Sequence, residues 1–345
     1  MFKNLSNNNR CYLVAEVGQA HDGSLGMAHA YIDAVAKTGV DAIKFQTHFA
    51  EHESTKRDIF RTKFSYQDAS RYDYWKRIQF SEKDWSNLHT HAREVGLDFV
   101  STPFSNYAVD LLADLSVPFF KVGSGDLLSF SLLDHMCSYQ IPIVLSSGMA
   151  TLDECKRAIK FVKDKKLECA ILQCTTSYPS PPETWGLNII STYHDLFGIP
   201  VGFSDHSGDI FAGLAAVSKG INLLEVHVVF SKDSFGPDSS SSLTIEQLQN
   251  LVKGIKLIET AKKNPVDKDD LASTFQRNKM LFSRSAVFSE PLLKGTKLKE
   301  EHVSYKKPGG GLPKSQVDLL MGLNLNSDVL KDDLVEINMF KKTSL

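Results

Sequence analysis

PVGFSDHSGDIFAGLAAVSKGINLLEVHVVF, residues 200–230, contains two apolar runs, PVGFSDHS (200–207) and LLEVHVVF (223–230), each closing near a histidine. A near-continuous apolar run is what a strand buried on both faces requires, and such strands belong to parallel sheets covered by helices. His206 and His227 then fall near the ends of two parallel strands, where two imidazoles could hold one metal ion. The surrounding chain decides which parallel architecture they belong to.

Six further runs of the same kind precede them: YLVAEVG (12–18), DAIKFQT (41–47), DFVSTPF (98–104), FFKVGSG (119–125), PIVLSSG (142–148) and CAILQCTTSYP (169–179). Segments with helical spacing lie between the runs. In LGMAHAYIDAVAKTG (25–39) and SEKDWSNLHTHAREVG (81–96) the apolar residues recur every three or four positions; Ser81 can cap the second, and Gly39 and Gly96 supply the stops. TLDECKRAIKFVKDKK (151–166) and TIEQLQNLVKGIKLIETAKK (244–263) follow the same logic. Eight β/α repeats predict an α/β fold of the TIM (β/α)8 barrel type, where a doubly wound sheet commonly needs fewer strands.

The chain has 345 residues, enough for one barrel of roughly 250 residues and a small appendage. The predicted division is a barrel over 1–263, a linker over 264–280 opening with NPVDKDD, and a small β-rich module over 281–345. That module has RSAVFS (284–289) and DLVEINMF (333–340) as strand-like pieces and KKPGGGLPK (306–314) as a turn. A polar, aromatic-rich insertion over about 50–80 follows the second strand, to be read either as a lid or substrate loop or as a surface Ω-loop.

Composition narrows the function classes. With 39 Lys+Arg against 41 Asp+Glu and no long basic block, neither a nucleic-acid nor an anionic-membrane partner is expected. The first residues lack a basic segment followed by a sustained apolar stretch, and no run reaches the ~18 apolar residues of a membrane span, so a cytoplasmic protein is expected. Five cysteines without a CxxC pair read as buried free thiols rather than a disulfide framework or zinc knuckle.

Barrel enzymes place their chemistry at the C-terminal ends of the strands. Those ends carry Glu16, Lys44, Gln46, Thr102, Lys121, Ser124, Asp126, Ser146, Ser147, Thr175, Thr176, Tyr178, Ser204, Asp205, His206 and His227. Two lysines, helped by hydroxyls and the glycine backbone of GSG (123–125) and SSG (146–148), would neutralise a phosphoryl and carboxylate dianion. In the empty protein Lys44 and Lys121 are expected to pair with Glu16 and Asp126, because an unpaired buried ammonium is costly. Hydrogen-bonded core histidines are the plain alternative for His206 and His227. As metal ligands, only two in number, they imply an open, oxygen-completed shell suited to Mn²⁺, with Mg²⁺ or Co²⁺ as alternatives.

AEVGQAHDGS (15–24), IKFQT (43–47), STPF (101–104), KVGSGD (121–126), LSSGM (145–149), QCTTSYP (173–179), GFSDHS (202–207) and GPD (236–238), in this order, resemble the N-acetylneuraminate (sialic acid) synthase family. RSAVFSEPLLKGTKL (284–298) and KKPGGGL (306–312) look like the antifreeze-like (SAF) domain of those synthases. The resemblance implies condensation of phosphoenolpyruvate with the open-chain aldehyde of N-acetylmannosamine or a related N-acylated hexose, giving a nine-carbon 2-keto acid and phosphate. By position, His206 and His227 would ligate the metal, and Lys44, Thr102, Lys121, Ser124, Thr176 and Ser204 would cradle phosphate and carboxylate. Gln46, Tyr178 and Asp238 would hold the sugar, Glu16 would handle the sugar end or a proton, and Asp126 or a metal-bound water would deliver water to C2. The family also implies a domain-swapped homodimer.

The chain departs from the family pattern at Ala20, where many members have Asn, and at Asp126, where many have Glu. At Lys307 bacterial members usually carry an Arg that contacts the sugar N-acyl group of a partner's site; Lys keeps the charge and loses the planar fork. Legionaminic and pseudaminic acid synthesis therefore stay open beside sialic acid synthesis, the GPD motif leaning away from the pseudaminic route. A Schiff-base aldol barrel using Lys44 or Lys121 and a non-catalytic sugar-binding barrel are the readings from other classes.

Overall fold

A computed structural model of the chain describes residues 10–60 and 63–340. Eight strands run in sequence order and all neighbours pair in parallel: β1 Tyr12–Gly18, β2 Ala42–Thr47, β3 Asp98–Pro103, β4 Phe120–Val122, β5 Ile143–Ser146, β6 Cys169–Cys174, β7 Val201–Asp205 and β8 Leu223–Val229. β1 also pairs with β8, with Glu16 opposite His227, so the sheet closes into a barrel. A short β9, Leu243–Thr244, extends β8 on the outside of this ring. The predicted TIM-type barrel is the observed fold.

Alternation along each strand sorts the side chains. Tyr12, Val14, Ala42, Val100, Phe119, Val144, Ala170, Leu172 and Leu223 form a compact apolar cluster inside the barrel, separate from the larger cluster between strands and helices. Two or more residues further along the same inward-facing series come Glu16, Lys44, Thr102, Lys121, Ser146, Ser204 and Glu225, all buried. The barrel is thus plugged with hydrocarbon below and carries a charged layer near its mouth.

The helices begin where the caps say they should. Ser24, Ser81, Ser105 and Thr151 each accept a backbone N–H through the side chain, and Ser81 and Thr151 complete capping boxes with Asp84 and Glu154. The expected stops hold as well: Gly39 and Gly96 adopt φ of +85° and +84° just beyond the helices 25–36 and 82–94, a left-handed conformation that favours glycine.

Four expectations need correction. The fourth and sixth runs were expected as strands to 125 and 179, yet β4 ends at Val122 and β6 at Cys174. The chain past Val122 turns at once into a single helical turn, Ser124–Asp126, and the chain past Cys174 bends into a loop. The 50–80 insertion is more than a loop: helices Ala50–Glu53 and Arg71–Ile78 build a small apolar cluster of Ala50, Tyr74, Trp75 and Ile78. The stretch 264–280, expected as a linker, holds helices Lys268–Thr274 and Gln276–Phe282, the first started by Asp267, whose carboxylate accepts from the N–H groups of Asp269 and Asp270. Finally, DLVEINMF is no strand; Leu334 makes one isolated bridge to Val287, and Ile337–Met339 form a turn.

The chain divides into two compact units, Met1–Lys263 and Asn264–Leu345. In the second, β10 Ser285–Phe288 pairs antiparallel with β11 Val303–Lys306 over a core that includes Phe288, Leu298, Val317, Leu325 and Val335. All five cysteines are buried free thiols.

Candidate active site

The charged layer is a paired network. Lys44 Nζ lies 2.7 Å from Glu16 Oε1 and 3.7 Å from Glu225 Oε2, and it donates to Thr102 Oγ1 at 3.2 Å. Lys121 Nζ donates to Ser146 Oγ at 2.6 Å and stands 3.6 Å from Glu225 Oε1, which also accepts from Ser204 Oγ at 3.0 Å. The expected Lys44–Glu16 pair is present. The expected Lys121–Asp126 pair is not, because the turn after β4 carries Asp126 away towards Glu53, and Glu225 takes its place.

Glu225 is the residue the strand ends did not advertise. It sits two positions before His227 on β8, so the alternation that points the histidine inward points the carboxylate inward too. Charge cooperation follows from the geometry. Burial would push Glu16 up, but Lys44, with His227 and Lys121, outweighs it and holds the carboxyl well below its usual range. Burial would lower Lys44; Glu16 and Glu225 reverse that and hold it above its ordinary value.

The hydroxyls expected to take part in anion binding follow β4 and β6. Ser124 Oγ accepts from the Gly148 N–H at 3.0 Å and lies 3.2 Å from Cys174 Sγ, while Thr176 Oγ1 is buried with no hydrogen-bond partner. A Cβ on Gly148 would sit 2.4 Å from Thr176 Oγ1 and 2.8 Å from both Cys174 Sγ and Ser124 Oγ, so only glycine leaves room there.

The two histidines face each other with ring centres 5.4 Å apart. His206 Nδ1 lies 3.0 Å from the Thr175 carbonyl, which assigns the proton to Nδ1 and leaves the Nε2 lone pair towards the Tyr178 hydroxyl at 3.2 Å. Burial, reinforced by the neighbouring His227, pulls the His206 pKa down to about 3, so the ring is neutral at physiological pH. His227 Nδ1 is buried without a hydrogen-bond partner, 4.0 Å from Asp238 Oδ2, and His227 Nε2 is 3.6 Å from Glu16 Oε2. Among the described residues no group of three or more His, Cys, Asp or Glu side chains is arranged as a metal cage. Two facing imidazoles, one with an orphaned ring nitrogen, and nearby hydroxyl and carboxylate oxygens nonetheless fit a divalent ion that completes its shell with water and substrate oxygens.

A sequence profile of the NeuB family matches residues 31–267. The chain belongs to the NeuB family. The human N-acetylneuraminate-9-phosphate synthase is 34% identical over 330 residues, covering 94% of this chain and 91% of its own. The N,N′-diacetyllegionaminic acid synthase of Legionella pneumophila is 30% identical over 331 residues, 92% of this chain and 91% of its own. Among solved structures, the sialic acid synthetase of Leptospira borgpetersenii superposes with a TM-score of 0.69 at 26% identity, over 79% of this chain and 92% of that one. These relatives make the NeuB-family chain an enzyme of the sialic-acid-synthase type.

The remaining expected residues of this NeuB-family site fall in two places. Gln46 Nε2 donates to Glu16 Oε1 at 2.8 Å, and the Tyr178 ring lies against His206 with centres 4.3 Å apart and planes tilted by 37°, its hydroxyl pushed up by burial. Asp126 lines a cleft with Gln46, its carboxyl raised by burial and by Glu53. Lys307 belongs to the second unit, where its Nζ lies 5.5 Å from the Phe282 ring centre.

Proposed function

We propose that the chain condenses phosphoenolpyruvate with the open-chain aldehyde of N-acetylmannosamine or a related N-acylated hexose, releasing phosphate and a nine-carbon 2-keto acid. The observation that carries the reading is the juxtaposition, in one barrel mouth, of the facing His206–His227 pair and a buried Lys44–Glu16–Glu225–Lys121 network. Lys44, Thr102, Lys121 and Ser204 hold the carboxylate and phosphate, with Ser124, Thr176 and the Gly148 amide as the neutral side of the cradle. Gln46, Tyr178 and Asp238 fix the sugar so that its aldehyde carbon faces C3 of the enol, a positioning effect that can supply several kcal/mol. A divalent ion, Mn²⁺ by preference, bound to His206 and His227 would polarise the aldehyde oxygen.

The C3–C1 bond forms as the aldehyde oxygen gains charge and C2 becomes an oxocarbenium centre. Water adds to C2, its first proton passing to a nearby carboxylate and on to the C1 alkoxide, and phosphate leaves by C2–O cleavage carrying the proton of the C2 hydroxyl, which gives the ketone. Asp126, raised by burial and by Glu53, is the group we assign to that proton, and Glu16, held ionised, is the one that steadies the sugar end. A Schiff-base route is disfavoured at Lys44, because two carboxylates keep it protonated and a protonated amine is no nucleophile.

From the same family resemblance we propose that the second unit is an antifreeze-like module serving the barrel mouth of a partner in a swapped homodimer, Lys307 reaching the N-acyl group. A cytoplasmic site of action agrees with five buried free thiols and with the absence, among the described residues, of any helix long and apolar enough to cross a membrane. The deciding experiment is phosphate release from phosphoenolpyruvate with Mn²⁺ and a panel of N-acyl hexoses. Release that depends on both sugar and metal is expected; a reaction fully resistant to EDTA, or a borohydride-trapped pyruvyl-lysine, would sink the reading.

A further inference from the structure

His48 is buried just past the end of β2, two residues beyond Gln46, and its ring is held from three sides. Trp75, on helix Arg71–Ile78, stacks on one face with ring centres 3.9 Å apart and planes within 10°. Phe104, just past β3, stacks on the other at 4.5 Å and 7°. The Arg71 guanidinium, 5.3 Å from the Trp75 ring centre, extends the stack outward. Glu53, at the end of helix Ala50–Glu53, takes the ring edge: its Oε1 lies 2.8 Å from His48 Nδ1, and its Oε2 accepts from the Phe49 N–H at 3.2 Å.

The other ring nitrogen points back at the site. His48 Nε2 lies 3.4 Å from Gln46 Oε1, which also accepts from Gln19 Nε2 at 3.3 Å. At its nitrogen end Gln46 donates to Glu16 Oε1 at 2.8 Å. Turning the Gln46 amide end for end would set its oxygen against a carboxylate that Lys44 keeps ionised, so Glu16 fixes the nitrogen inward. An amide oxygen only accepts, and the hydrogen bonds therefore assign one proton to His48 Nε2 and a second to the bond between Nδ1 and Glu53. A bare Nε2 would press two lone pairs together in a buried place.

We propose that His48 is a positioning residue for the condensation: acting through Gln46, it holds the amide with its NH₂ end towards the barrel mouth, so that Gln46 meets the sugar as a hydrogen-bond donor. Glu16 takes one of the two amide hydrogens and the sugar takes the other. The 50–80 insertion then acts as a buttress, with Glu53 and Trp75 fixing His48 and His48 fixing Gln46. This role rests on the proposed condensation; the proton on Nε2 does not.

Two substitutions separate the ring nitrogens. The side-chain amide of His48→Gln reaches the Nε2 position and can donate to Gln46, whereas the shorter His48→Asn reaches only the Nδ1 position and Glu53. The assay is phosphate release from phosphoenolpyruvate with Mn²⁺ and N-acyl hexoses, N-acetylmannosamine first. His48→Asn should raise the KM for the sugar about tenfold, the worth of one positioned hydrogen bond, with the KM for phosphoenolpyruvate unchanged, and His48→Gln should recover most of the loss. An unchanged sugar KM, equal rises for both substrates, or Asn serving as well as Gln would each overturn the role of His48 and leave the condensation standing. Nitrogen-15 NMR of the imidazoles in the full-length protein, with His48 assigned by its loss in His48→Gln, reads the proton directly. A protonated Nε2 is expected, and a bare one overturns the proposal whatever the enzyme turns over. If the unaltered protein releases no phosphate with any N-acyl hexose, the condensation falls and the role of His48 falls with it.

Discussion

Glu16 and Glu225 neutralise Lys44 and Lys121 inside the barrel mouth, so the four side chains are balanced only as a set. Glu225→Gln leaves an uncompensated buried ammonium, and a loss of about 3 kcal/mol of stability is expected. An anion in the cradle supplies the missing charge, so phosphoenolpyruvate should raise the melting temperature of Glu225→Gln by more than it raises that of the unaltered protein; an equal or smaller rise would show that the network and the anion site are separate. His206→Ala and His227→Ala should each abolish turnover while leaving the circular dichroism spectrum of the barrel unchanged, and near-normal activity in either refutes the proposed metal site. Buried histidines also set an acid limit. His21 and His206 are both pulled down to about 3 by burial, so between about pH 6.5 and 3 the unfolded chain binds protons the folded one does not, and stability present above that window is lost as pH falls through it. Asp205, raised to about 6 by burial, opposes this between 3.8 and 6 and offsets one of the two. The melting temperature should therefore fall from pH 7 to 4.5, and His21→Asn, which keeps an acceptor for the Gly23 N–H that His21 Nδ1 now receives at 3.0 Å, should flatten the fall.

At the scale of elements, the strand ends line the proposed cradle, and the turn after β5 is tightly packed against it. Gly148→Ala would place a methyl against Thr176, Cys174 and Ser124, and an increase of about tenfold in KM for phosphoenolpyruvate, ~1.4 kcal/mol, is expected with the fold intact; an unchanged KM would place the phosphate elsewhere. The barrel strands are legible in the sequence, because parallel strands buried on both faces write themselves as apolar runs and their ends as polar punctuation. Glu225 was not, since it lies inside the run LLEVHVV and only the period-two step back from His227 marks it as inward-facing. Helices 268–274 and 276–282 were illegible for a different reason: no residue of either is buried, so no apolar stripe betrays them, and Pro265 with its acidic neighbours reads as a break. The path of Asp126 was hidden too, because a three-residue β4 cannot be told in sequence from a longer one that runs on through GSG.

For the whole molecule, the proposed exchange of second units between partners predicts complementation. Lys307→Ala has a sound barrel and an impaired tail, whereas His206→Ala has a dead barrel and a sound tail. Co-expressed or refolded together, the two should form mixed dimers that recover activity neither shows alone, read as phosphate release against each parent; no recovery, with mixed dimers demonstrated by mass spectrometry, removes the swap. The barrel's closure has a consequence of its own. Glu16 and His227 are neighbours across the β1–β8 seam although more than two hundred residues of chain separate them. On the ribosome, a growing polypeptide cannot bring these two side chains together until its eighth strand has emerged, so the chemistry comes into being in the same event that certifies the barrel as whole.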